Sequence, residues 1–348
     1  MNKIYVIILV VGAIGLSGIT SVQAQDYATA LKAQSVYNHY PLNLFLLNPA
    51  ATGMSGNSQM LFNFRNQWAG FDGSPKSLTL GIDGSPANNM GLGAMIYNEN
   101  FGVANRFLGQ LNYAYHFKPS EDIHMSLGLS GAYIQYNLDN EAITDPLHEA
   151  PDPIINSAVN GEKYFAADFG FYSEIKGKYR IGFSIPHLVQ SKLDDANITS
   201  NTPKEEKPVS FTGFLGGIWR LPEYRMILEP SLGIRKISDA PFSTDLNLLA
   251  KLMEERLFAG FTYSYNPSWH RIAMLAGVKI DRLGIFYSYD QSYLEFQNFN
   301  NGSHELTLTF DISKKTANKM NNDAPSMEKP AEVQDEGMKK MDEGMQKK

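Results

Sequence analysis

The sequence predicts an all-β chain: a transmembrane antiparallel β-barrel of about fourteen strands, with an N-terminal lead-in segment and a disordered C-terminal tail. Three observations predict it. Between residues 58 and 312, stretch after stretch alternates apolar and polar side chains, a period that suits half-buried strands and no helix. The connections between these stretches are alternately short and long, as barrels have them. Aromatic residues are abundant (20 Phe, 18 Tyr and 3 Trp) while mean hydropathy is only −0.26. That combination excludes a bundle of membrane helices but not a barrel, whose inward polar residues cancel its lipid face in any average.

In chain order, residues 1–24 read as a secretory signal, with Lys3, an apolar run from Ile4 to Ile14, and Val22-Gln23-Ala24 before a cleavage point that leaves Gln25 first. The competing reading is a transmembrane anchor; after residue 24 no run of about 18 apolar residues occurs. Residues 25–57 form a lead-in or plug segment containing Tyr37, Tyr40, Pro41 and the turn-like Asn48-Pro49-Ala50-Ala51-Thr52-Gly53. Residues 58–312 form the barrel, and residues 313–348 a charged tail.

Within the barrel, Gln59, Asn63, Arg65 and Gln67 alternate with Met60, Phe62, Phe64 and Trp68. Leu111, Tyr113, Tyr115 and Phe117 share one face, with Gln110, Asn112 and His116 on the other. Leu306, Leu308, Phe310 and Ile312 alternate with Glu305, Thr307, Thr309 and Asp311. Expected strands are 58–68, 76–83, 90–98, 107–117, 125–138, 164–175, 179–187, 210–221, 225–237, 242–253, 256–266, 272–280, 282–292 and 303–312. With both termini periplasmic, the inner turns become 84–89, 118–124, 176–178, 222–224, 254–255 and Asp281, all short. The outer connections include 139–163, 188–209 and 293–302. A soluble sandwich would need a second sheet over its aromatic faces. A propeller would show a repeat of about 40–50 residues, which is not found.

The tail carries a seven-residue near-repeat, Asp335-Glu336-Gly337-Met338 and Asp342-Glu343-Gly344-Met345, too short and too Gly-broken for a coiled coil. Its mixed charge and scarcity of large apolar groups read as solvated disorder.

Charge and cysteine content narrow the function classes. The net charge of −6 becomes −7 once Lys3 leaves with the signal, which gives no electrostatic footprint for nucleic acid. Zero Cys excludes disulfides and thiol chemistry. The seven His are scattered without ligand spacing, and the acidic stretch Asp139, Glu141, Asp145, Glu149, Asp152 fits no calcium-loop template. The expected cofactor set is none, the expected metal set is none, and no catalytic residue is assigned. The better lead is inward charge: alternation points Arg65, Asp83, Asp168, Glu174, Glu229, Arg235, Asp245 and Lys251 into the lumen. These side chains either line a permeation path or, as Arg–carboxylate pairs with segment 25–57, fill the interior.

Several motifs, in order over residues 34–312, carry a resemblance. They are the Asn48–Gly53 element, Arg65-Asn66-Gln67-Trp68-Ala69-Gly70-Phe71 with Pro75, Gly91-Leu92-Gly93, Tyr113-Ala114-Tyr115, Asp168-Phe169-Gly170 and Gly182-Phe183-Ser184-Ile185-Pro186-His187-Leu188. Together they resemble the PorP/SprF family of Bacteroidota outer-membrane proteins, with Asn48, Pro49, Gly53, Arg65, Gln67, Trp68, Gly70 and Phe71 as motif residues. The resemblance implies a place in the type IX secretion system and, in gliding species, in export or surface attachment of large adhesins. It implies a barrel related in shape to long-chain fatty-acid transporters, and no catalytic residues. The implied partners are outer-membrane lipid, a secreted adhesin-like cargo and other type IX components. The alternative is a FadL-like passive transporter of apolar or small solutes. The expected location is the outer membrane of a Gram-negative bacterium.

Overall fold

Alternation places one row of each strand in lipid and the next row inside, and the chain satisfies its backbone by closing on itself. The computed structural model describes residues 37–70, 72–138, 161–193, 210–237, 241–267, 269–293 and 301–312. Its strands are β1 (Gln59–Asn66), β2 (Lys76–Ala87), β3 (Met90–Phe101), β4 (Ala104–Ser120), β5 (Ile123–Leu138), β6 (Glu162–Ile175), β7 (Tyr179–Lys192) and β8 (Phe211–Gly217). They continue as β9 (Trp219–Leu221), β10 (Met226–Lys236), β11 (Ser243–Leu252), β12 (Leu257–Asn266), β13 (Trp269–Ile280), β14 (Leu283–Tyr293) and β15 (Ser303–Asp311). Neighbours pair antiparallel throughout, and β1 pairs with both β2 and β15, so the ring is closed. Closure leaves no open edge to unpaired hydrogen-bonding groups in lipid.

Segments β8 and β9 are one strand interrupted at Ile218, since both pair with β10. The interruption lies across from Glu229-Pro230, where proline has no N–H to give the ladder. The barrel therefore has fourteen staves, as the alternation predicts, with the eighth broken rather than continuous over 210–221.

Other boundaries differ in detail. The expected turn 84–89 contracts because β2 runs to Ala87, and 118–124 contracts because β4 runs to Ser120 and β5 starts at Ile123. β7 extends to Lys192, so 188–192 is strand, not the start of a loop. Conversely, Gln67 and Trp68 lie beyond the end of β1, and Trp68 has a positive φ of 56°. At the end where β1 begins and β15 finishes, every connection is short: 88–89, 121–122, 176–178, 222–225, 253–256 and 281–282. We call this the turn end and the opposite one the loop end. There the connections are longer, 102–103 and 267–268 excepted.

Met60, Phe64, Leu80, Leu111, Leu129, Phe165, Met274 and Phe310 point outward and are exposed. No helix among the described residues is long and apolar enough to cross a membrane. The chain divides into two units, Met1–Ile312 and Ser313–Lys348, and the barrel is part of the first. The expected signal at 1–24, the expected tail disorder and most of the loops 139–163 and 188–209 lie outside the described residues.

Inside the ring runs the lead-in segment from Tyr37 to Asn57. It makes two short 3-10 turns, Leu44–Leu46 and Pro49–Ala51. Each is capped by an asparagine whose side-chain oxygen accepts the third residue's N–H: Asn43 from Phe45 and Asn48 from Ala50. Tyr37, Tyr40, Phe45 and Leu46 form a buried cluster with Leu61, Met95, Tyr97 and Phe214 of the wall. Leu42 packs on a second cluster of Leu249, Phe258 and Phe286. At about 2 kcal/mol per buried apolar side chain, these contacts fix the segment as a plug.

Candidate functional site: the plugged lumen

The plug is held in two chemically different ways. Near the turn end, Asn48–Gly53 sits on strand glycines. A Cβ on Gly128 would land on the backbone of Pro49 and Ala50, and one on Gly91 would land on the Thr52 carbonyl. Only glycine lets the plug backbone come this close to the wall. Polar contacts complete the seat. Asn48 Nδ2 donates to the Phe171 carbonyl at 2.9 Å, Ser184 Oγ donates to the Leu47 carbonyl at 2.9 Å, and Gly53 N donates to Asp83 Oδ2 at 3.0 Å. His116 Nε2 lies 2.9 Å from the Thr52 carbonyl. The scattered sequence motifs at 48–53, 91–93 and 168–170 thus meet: they are the plug and its socket.

Toward the loop end the plug meets charge. Arg65 is 3% exposed and its Nη1 reaches Asp290 at 2.7 Å and Glu305 at 3.0 Å. Glu305, fully buried, also accepts from Asn38 N at 2.9 Å, His39 N at 3.3 Å and Asn63 Nδ2 at 2.8 Å. Asn38 Nδ2 donates to Asp290 at 2.5 Å, and His39 Nδ1 is 2.6 Å from Thr307 Oγ1. Burial pushes the His39 imidazole below its ordinary value, against the opposing field of Glu305. Its Nδ1 also lies 3.7 Å from that carboxylate. Burial likewise raises Tyr40, whose hydroxyl accepts from Asn247 Nδ2 at 2.7 Å.

The inward charges named from sequence separate into four kinds. Arg65, and Arg235 with Asp245 at 2.8 Å, belong to this layer, as does Arg271 with its Nη2 donating to Ser264 at 3.0 Å. Glu229 forms a second group, bridging Arg180 at 2.9 Å and Lys251 at 2.8 Å. Asp83 and Asp168 hold backbone rather than arginine. Asp168 accepts from Ser130 Oγ and from His187 N, both at 2.7 Å, and so fixes the left-handed residue His187 in a bulge of β7. Glu174 stands apart, half-buried beside Gly177 near the turn end.

Alternation alone did not single out Asp290, Glu305, Arg271, Asn38 or His39 as site residues. Glu305 lies on the polar row opposite Leu306, so its direction was readable; its partners were not. Of the remaining motif residues, Gln67 N donates to the Pro75 carbonyl at 2.8 Å and Trp68 N to Ser303 Oγ at 3.3 Å. Gly70 has a φ of 85° beside the Asn301 side chain, and Phe71 lies outside the described residues.

Two small cavities lie beside the plug among the described residues. One cavity of about 20 Å³ lies between Tyr40, Leu47, Tyr172 and Phe214; another of about 40 Å³ lies between Tyr37, Tyr97, Arg106 and Pro186. Each has room for a water or two. Among the described residues, no group of three or more His, Asp or Glu side chains could hold a metal ion.

The sequence profile described as "Type IX secretion system membrane protein PorP/SprF" matches residues 31–310. The chain belongs to the PorP/SprF family. No curated protein matches it. Among solved structures, this PorP/SprF protein is similar to the CymD monoaromatic hydrocarbon channel (TM-score 0.48, 11% identity), covering 78% of this chain and 92% of that one. It is also similar to a Pseudomonas aeruginosa FadL homologue (TM-score 0.44, 12% identity, 76% and 93% covered). The Acinetobacter baumannii outer membrane protein Omp33 is a third (TM-score 0.41, 5% identity, 73% and 97% covered). Likeness at this level carries no argument about a solute. The PorP/SprF family is one of type IX secretion system membrane proteins.

Proposed function

We propose that this PorP/SprF barrel is a holding component of the type IX machinery. It binds a secreted, adhesin-like cargo and other secretion components through its loop-end surface, and does not pass solutes through its lumen. The observation that carries this reading is the plug packed across the lumen, on Leu61, Tyr97 and Phe214, on Phe258 and on the Gly128 backbone. Solute sites are typically open clefts, whereas two cavities beside the plug each have room for a water or two. The FadL-like transporter reading requires the plug to leave a glycine socket shaped to its backbone. Family membership supports a role with other type IX components; gliding is the setting in which an adhesin cargo would be displayed.

In this reading the turn end faces the periplasm and the loop end the cell surface, in line with the short and long connections of barrels. Loops carried on a rigid frame are where recognition usually sits. The test replaces 139–160 and 194–209 with short Gly-Ser linkers and compares surface proteomes with a full deletion strain. Expected is a folded, inserted barrel, loss of one cargo from the surface, and normal secretion of other type IX substrates. Unchanged display of every cargo in both strains removes the reading.

A further inference from the structure

One sector of the turn end changes character just where the apolar outer rows stop. On β7 the outward residues Phe183 and Ile181 are followed by Tyr179, which is 55% exposed. On the broken eighth stave Leu215 and Gly217 are followed by Trp219, which is 40% exposed. The two aromatic residues meet at Gly217. Tyr179 lies across the ladder from it, and a Cβ there would be 3.7 Å from both the Trp219 indole nitrogen and Pro230. Rings with an apolar body and a polar tip suit the level where hydrocarbon gives way to headgroups.

Charge begins directly below. Turn 176–178 is Lys-Gly-Lys, and β9 with its turn supplies Arg220 and Arg225. Over 176–178 and 219–225, four cations stand against one acid, Glu223. The flanking turns have the other sign: 121–122 is Glu-Asp, and 253–256 holds Glu254 and Glu255 with Arg256. Lys176 reaches Asp122 at 3.9 Å, while exposed Lys178, Arg220 and Arg225 form no salt bridge among the described residues. Arg220 is nonetheless positioned. Its Nη1 donates to the Gly177 carbonyl at 3.0 Å, and Ile218 N donates to the Lys178 carbonyl at 2.7 Å. These bonds tie the hairpin of β9 and β10 to turn 176–178 and leave the other guanidinium donors for an anion. Pro222 opens the hairpin's 3-10 turn and Arg225 ends it at a φ of 47°, which stiffens the loop.

We propose that turn 176–178 and the β9–β10 hairpin form a binding site for the headgroup of an anionic phospholipid. Its acyl chains lie along Ile181, Phe183 and Leu215, and its phosphate meets Arg220 with Lys178 and Arg225. The occupant is lipid because Tyr179 and Trp219 continue the lipid-facing rows without a break. It is anionic because the excess charge is positive and confined to this sector. The headgroup chemistry stands on these residues; its assignment to the periplasmic leaflet rests on the orientation proposed above.

The test titrates the purified protein in detergent with phosphatidylglycerol, phosphatidylethanolamine, lipid A and inorganic phosphate, and counts bound molecules by native mass spectrometry. Expected is retention of phosphatidylglycerol in preference to phosphatidylethanolamine. That preference should fall at least about fivefold when Lys178→Gln and Arg225→Gln are combined. Arg256→Gln combined with Arg282→Gln, on two other turns, should keep it. The heat-modifiable band reports folding, and Arg220→Gln alone serves if the first pair does not fold. Equal retention of the two phospholipids overturns the proposal, and so does an equal effect of the two variant pairs. Inorganic phosphate that displaces phosphatidylglycerol assigns the sector to a soluble anion and overturns it as well. These three results leave the loop-end reading standing. Preference for lipid A over phosphatidylglycerol overturns the proposal and removes the proposed orientation with it.

Discussion

Arg65 sits at the seam where the first strand meets the last two. Its guanidinium joins β1 to β15 through Glu305 and to β14 through Asp290, and the same carboxylates hold Asn38 and His39 of the plug. Arg65→Ala leaves two buried carboxylates short of their cation, at a cost of about 3 kcal/mol. Arg65→Lys keeps the charge, but its shorter chain stops short of the Nη1 position that both carboxylates share, so it recovers only part of that. The measurement is the temperature at which the compact, heat-modifiable band converts to the extended one in detergent gels. Equal midpoints for both variants and the parent would remove Arg65 from the seam. The direction of Arg65 was legible because alternation is a local property. Its partners were not, since Asp290 and Glu305 are more than 220 positions away and nothing in the sequence says which inward carboxylates meet which arginine.

At the scale of elements, the staves were legible and their ends were not. Leu306, Leu308 and Phe310 alternate with Glu305, Thr307 and Thr309 wherever the strand stops, so its existence does not depend on its boundary. Pro230 carried a signal for the break at Ile218, but only once the register with β10 is known. The plug was legible as motif and not as position: Asn48–Gly53 and the glycines at 91 and 128 become one feature when the sheet brings them together. This seat makes a second prediction. Gly128→Val would drive a side chain into the backbone of Pro49 and Ala50, with a loss of about 1–3 kcal/mol or more from overpacking. Gly213→Val, where an added Cβ meets nothing within 4 Å, should leave the melting midpoint unchanged. A matching loss at both positions would mean that strand glycines matter here for pairing rather than for the plug.

For the whole molecule, a fourteen-stranded ring has a bore that, among the described residues, the plug occupies, between the small barrels packed by side chains and the porins that hold water. Purified protein in planar bilayers should therefore show no stable ion conductance. Deleting residues 37–53 should open one while the strands still assemble. A steady open channel in the intact protein would count against the filled lumen and in favour of solute passage. The sequence put charged side chains inside this bore without deciding between a path and a filling. The decision lay in the lead-in segment, whose hydrogen bonds to the wall reach across more than 260 residues.

The seam between β1 and β15 has a topological consequence. A ring that closes when its last strand meets its first, with a preceding stretch of the same chain already inside, is a lasso, and the thread and the loop are one covalent object. The thread either lies in place before the loop shuts or is pulled through afterwards. Glu305, bonded at once to the seam and to Asn38 and His39, favours the first order, because the knot is tied by the residues that hold the thread.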